Sequence, residues 1–129
     1  MSLPKLHFIT QPNTNYSNSE LVEKACLSGV KLIQLRIKNQ SLDYIFEEAK
    51  AVKEICNKYQ ATFIINDHVT IAKDLNLDGI HLGKSDLSPI KAREILGDKT
   101  IIGGTANDIE DVKRLINSQV DYIGLGPYR

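Results

Sequence analysis

The sequence predicts an α/β protein built as a (β/α)8 TIM barrel, of which the chain supplies about six strands and five helices. Three observations predict it. Short apolar runs alternate with longer stretches of helical spacing, and the runs start about 20–30 residues apart, the length of a βα unit. The turn after the first run, Thr10-Gln11-Pro12-Asn13-Thr14, lacks the glycines that open a nucleotide-binding doubly wound sheet. Polar residues gather at the C-terminal ends of the second to fifth runs, and chemistry spread over several strand ends favours the barrel over the open sheet.

In chain order, the strands are expected at Leu6–Thr10, Leu32–Ile37, Thr62–Ile65, Gly79–Leu82, Thr100–Ile102 and Tyr122–Leu125. Such short, Ile-rich runs read as parallel strands buried on both faces. The first helix takes Asn18 or Ser19 as its cap, and Gly29 follows it as a left-handed terminator. Ser41 caps the second, in which Leu42, Ile45, Phe46, Ala49, Val52, Ile55 and Cys56 recur at three- and four-residue steps on one face. Ser88-Pro89 sets a hydroxyl at the cap and proline at the first helical position, and Gly97 closes that helix. Asn107 or Asp108 caps the last helix, whose apolar face is Ile109, Val112, Leu115 and Ile116.

Composition excludes several functions. Lys plus Arg and Asp plus Glu each number 16, so the net charge is zero, which argues against a general nucleic-acid binder or a polybasic membrane-surface protein. No apolar run approaches the ~18–20 residues that span a bilayer, and MSLPKLHFITQ is not a secretory signal. Cys26 and Cys56 form no C-x-x-C pair and read as buried thiols, which fits a reducing cytoplasm.

The candidate chemistry lies at the strand ends. In Gln34-Leu-Arg36-Ile-Lys38, alternation turns Gln34, Arg36 and Lys38 to one side. The guanidinium fork and the ammonium suit phosphate oxygens. The competing reading is a solvated edge strand, against which Leu32 and Ile33 weigh. Asn66-Asp67 is either a helix cap or an amide donor followed by a hard carboxylate ligand for Mg²⁺. Asp86 lies just past strand four and is either a turn residue or a second ligand to the same cation. Gly103-Gly104-Thr105 lets a ligand approach the backbone and offers a hydroxyl to a phosphate; a tight turn is the alternative. Gly124 and Gly126 alternate, leaving room on one face for a ligand or a neighbouring strand. His81 reads as a satisfied core histidine, and His68 as exposed. With His7, these histidines have no zinc-ligand spacing.

The ordered set QLRIK, IIND, HLGKSD, GGTAND and DYIGLGP resembles the thiamine-phosphate synthase (thiamine-phosphate pyrophosphorylase) family, including its TenI branch. The resemblance implies a (β/α)8 barrel. It also implies coupling of 4-amino-2-methyl-5-(diphosphooxymethyl)pyrimidine to a thiazole phosphate, giving thiamine phosphate and pyrophosphate. Gln34, Arg36, Lys38 and Asn66 would then hold the pyrimidine diphosphate. Asp67 and Asp86 would ligate Mg²⁺, and Thr105 would take the place of the family's usual serine. The implied partners are these two small molecules, with no nucleic acid and no membrane, and a homodimer as the form of self-association.

Two positions depart from the family pattern: Lys84 stands for a usual glutamine, and Asn107 for a histidine of the strand-five loop. The retained Asn66, Asp67 and Asp86, and that missing histidine, favour the synthase over a TenI-like thiazole tautomerase, whereas Lys84 and Asn107 motivate the other alternative, a degenerate, non-catalytic family member that binds phosphates. A barrel of this kind needs ~200–250 residues. The expectation is therefore one incomplete barrel domain over 1–129, ending at Pro127-Tyr128-Arg129 before the last βα units.

Overall fold

The computed structural model describes residues 3–126. The Pro127–Arg129 end lies outside the described residues. The chain divides into two compact units, Met1–Asn66 and Asp67–Arg129.

The first unit runs β1 (His7–Ile9), α1 (Asn18–Leu27), β2 (Leu32–Leu35), α2 (Leu42–Tyr59) and β3 (Thr62–Asn66). Its strands are parallel and pair in sequence order, with Phe8 opposite Ile33 and Ile33 opposite Phe63. All four residues of β2 are buried, the signature of a strand covered on both faces. Each fully buried Ile, such as Ile33, Ile64 or Ile65, contributes about 1.5–3 kcal/mol of transfer free energy. Helix α2 buries Ile45, Ala49, Val52 and Cys56, the centre of the predicted stripe. Leu42, in its first turn, stays 65% exposed.

Two local expectations change. Helix α1 is capped by Ser17, not Asn18 or Ser19: the Ser17 hydroxyl accepts from Glu20 N, and the Glu20 carboxylate accepts from Ser17 N. The Asn18 amide instead donates to Glu48, tying α1 to α2. Strand β2 ends at Leu35 rather than Ile37. A side chain supplies the next bond, because the buried Thr10 hydroxyl accepts from Arg36 N at 3.0 Å.

The second unit runs α3 (Val69–Asp74), β4 (Gly79–Leu82), α4 (Pro89–Leu96), β5 (Ile101–Ala106), α5 (Ile109–Asn117) and β6 (Tyr122–Leu125). Its strands are again parallel and in sequence order, with His81 opposite Gly103 and Gly103 opposite Tyr122. Ser88 caps α4 with Pro89 in its first turn, and Asp108 caps α5. Strand β5 is longer than its predicted Thr100–Ile102 core. It continues through Gly103-Gly104-Thr105-Ala106, so the glycines belong to the strand and not to a turn.

The expected apolar face of α5 is mostly uncovered among the described residues. Ile109 and Ile116 are 66% and 63% exposed, while Leu115 and the charged Asp111 are buried. Arg93 of α4 gathers the opposite end of this unit. Its guanidinium donates to the carbonyls of Thr100, Asp98 and Gln119 and pairs with Asp121 at 3.1 Å. The same Asp121 oxygen accepts from Ile102 N. Arg93→Ala is expected to cost about 2 kcal/mol, read as a lower urea midpoint. Arg93→Lys should recover only part of it, because a lysine lacks the planar fork.

Candidate functional site

In the first unit, the predicted comb forms a hydrogen-bonded chain. Gln34 is 2% exposed. Its Oε1 accepts from Asn66 Nδ2 at 2.8 Å, and Asn66 Oδ1 accepts from Lys38 Nζ at 2.8 Å. Arg36 stands outside that chain. With Lys38, Asn13, Tyr16 and Tyr44 it lines a cleft of about 350 Å³ beside the N-termini of α1 and α2. Three of the four expected diphosphate residues are thus linked directly, and the fourth shares a cleft with one of them. Of the three positions expected on β2, only Gln34 lies within the strand; Arg36 and Lys38 lie past its end.

Sequence reasoning missed two residues here. Thr10 is fully buried and holds the start of the Arg36 segment. The His7 ring nitrogen Nε2 lies 3.3 Å from Gln34 Nε2. Burial holds the His7 imidazole below its ordinary titration range, toward the neutral form. The available signal for both was their place on the first strand, on either side of an apolar pair.

In the second unit, Asp67 has left-handed backbone, φ 65°, and its amide donates to His81 O at 2.8 Å. Its carboxylate lies 3.5 Å from His68 Nε2, a ring that is half-buried rather than exposed as expected. The Asp86 carboxylate accepts from Gly83 N at 2.6 Å, so one oxygen closes its own loop. Among the described residues, no three His, Cys, Asp or Glu side chains converge as an all-protein metal cage. Magnesium fits that donor set, because it is commonly held by one or two carboxylates with water and substrate phosphates completing its shell.

Thr105 belongs to a part-buried triad. His81 Nε2 lies 2.8 Å from its hydroxyl, and His81 Nδ1 lies 2.8 Å from the Tyr122 hydroxyl. His81 is therefore the satisfied core histidine that was expected, and its partner is a predicted site residue. Burial pushes the Tyr122 phenol well above its ordinary range, so the phenol keeps its proton.

The glycines serve this packing and not an approaching ligand. A Cβ at Gly103 would fall inside the Tyr122 ring. One at Gly104 would lie 2.5 Å from Leu115, and one at Gly124 would lie 3.2 Å from His81 Cε1. The space expected for a ligand is filled by the chain's own side chains.

Lys84, the departure beside the carboxylates, pairs with Asp111 at 3.0 Å. The Asn107 amide and, after it, the Lys84 ammonium hold the Asp111 carboxyl below the usual carboxylate range. The cation at position 84 thus has its own counter-charge. Both cysteines are buried thiols outside any disulfide, and burial raises the Cys26 thiol.

Fold and site together define a parallel α/β protein with candidate cationic, amide and carboxylate groups at the C-terminal ends of its strands. A family model described as thiamine monophosphate synthase (TMP-TENI) matches residues 6–129, and the chain belongs to that family. It is 46% identical over 125 residues to the thiamine-phosphate synthase of Flavobacterium psychrophilum, covering 97% of this chain and 61% of that protein. To the thiamine-phosphate synthase of Phocaeicola vulgatus it is 44% identical, covering 97% of this chain and 60% of the relative.

Among solved structures, a thiamine phosphate pyrophosphorylase from Pyrococcus furiosus superposes with a TM-score of 0.87 at 31% identity, covering 95% of this chain and 59% of that one. The fold class is accordingly the α/β TIM barrel, to which the described residues contribute six strands and five helices. The chain spans less than two thirds of the length of these relatives.

Proposed function

We propose that the protein is a thiamine-phosphate synthase, a transferase of the cytoplasm. It would join the pyrimidine diphosphate to thiazole phosphate with loss of pyrophosphate. The observation that carries this reading is the bonded set Gln34, Asn66 and Lys38 in a chain of this family.

Pyrophosphate leaves from a benzyl-like carbon whose cation the electron-rich aminopyrimidine ring stabilises, and the thiazole nitrogen then attacks that carbon. No protein nucleophile is required. The demand on the protein is to hold two rings in register and to offset charge growing on the leaving group. Arg36 and Lys38 donate to the diphosphate, and Gln34 and Asn66 orient that end of the substrate. The Thr105 hydroxyl contacts the pyrimidine or its diphosphate. Asp67 and Asp86 would hold Mg²⁺, which when bound supplies positive charge for the departing pyrophosphate.

The test is a coupling assay with both substrates, with and without Mg²⁺, on the full chain. Mg²⁺-dependent release of pyrophosphate with formation of thiamine phosphate is expected. Turnover of aminothiazole carboxylate phosphate without any coupling would replace this reading with the tautomerase.

A further inference from the structure

The chain of bonds in the first unit has a fixed polarity. Lys38 Nζ has hydrogens to give and no lone pair, so the Asn66 atom 2.8 Å from it must be the carbonyl oxygen. That turns the Asn66 NH2 to Gln34 Oε1, and the Gln34 NH2 to His7. An amide NH2 only donates, so His7 Nε2 carries the lone pair and the ring proton sits on Nδ1. Every orientation from the lysine to the imidazole then follows from two groups, one that can only give a hydrogen and one that must accept.

We propose that His7 is a positioning residue for Lys38: by accepting from Gln34, it sets both amides so that Asn66 presents its oxygen to the ammonium and holds it for a diphosphate. This rests on the reading of Lys38 as a diphosphate ligand. Without an acceptor at position 7, the buried Gln34 NH2 loses the partner it has there. Turning Gln34 over sets its NH2 against the NH2 of Asn66. Asn66 must then turn as well, and two sets of donors face each other at Lys38. Each alternative costs a bond of the chain, and the last removes the Asn66 oxygen that accepts from the ammonium.

Two variants and one spectrum test it on the full chain. His7→Phe should weaken binding of inorganic pyrophosphate about tenfold, and raise the KM for the pyrimidine diphosphate by a similar factor with kcat nearly unchanged. His7→Gln keeps an acceptor oxygen and should restore both. The ¹⁵N spectrum of the unsubstituted protein should give His7 Nε2 the shift of an unprotonated nitrogen. Unchanged pyrophosphate affinity in a folded His7→Phe protein overturns the proposal. So does a protonated Nε2 in the neutral ring, a result that needs no variant to fold. If the unsubstituted protein binds pyrophosphate but couples nothing, the synthase reading falls. The His7 effect on pyrophosphate affinity then decides the present proposal separately.

Discussion

Asp67→Asn is expected to lower the coupling rate at saturating Mg²⁺ by about 10²–10³-fold. The thermal midpoint should stay close to that of the unsubstituted protein. The backbone dictates asparagine rather than alanine. Asp67 has φ 65°, a left-handed conformation that Asn and Asp adopt more readily than alanine. Its amide bond to the His81 carbonyl is a main-chain bond that the substitution leaves in place. The exchange is nearly isosteric and removes one negative charge, so a loss of rate reports on the charge and not on the fold. The measurement is initial pyrophosphate release against Mg²⁺ concentration, with a melting curve alongside. Full turnover with an unaltered Mg²⁺ requirement would end the assignment of Asp67 as a ligand.

Gly103→Ala should produce the largest loss of stability of any single methyl added to β5, about 3 kcal/mol. The new carbon falls inside the Tyr122 ring. That ring cannot move away freely, because its hydroxyl is held by His81. In a Tyr122→Ala background the same glycine substitution should cost less than about 1 kcal/mol, and the difference is the coupling between the two positions. Urea denaturation of the four proteins measures it. Equal costs in the two backgrounds would show that Gly103 is required for some reason other than the ring.

Legibility differed between the two levels of structure. Strand positions could be read because parallel strands buried on both faces, such as Leu32–Leu35, leave continuous apolar runs that few other structures need. Helix α2 could be read from its stripe and the Ser41 cap. Strand ends could not. Whether β2 stops at Leu35 depends on the Thr10 hydroxyl, which arrives from the residue that follows β1. Whether β5 continues through two glycines depends on Tyr122 and Leu115 filling their vacant side.

In the candidate site, residue types pointed to the groups offered to a diphosphate, because Arg and Lys have few other reasons to stand at a buried strand end. They did not tell how those groups are held. The role of His7 appears only once its partner across β1 and β2 is known. Lys84 looked out of place beside the carboxylates until Asp111, buried on an apparently apolar helix face, proved to be its counter-ion.

The order of the strands has a consequence for biosynthesis. In the first unit, each strand pairs with the strand before it in the chain, β1 with β2 and β2 with β3. Each pairing closes a loop of about 25–30 residues, a modest entropic demand that never waits for a distant segment. A nascent chain leaving the ribosome can therefore consolidate β1 to β3 with their two helices, and assemble the His7–Gln34–Asn66–Lys38 chain, while the carboxylate-bearing half is still being translated.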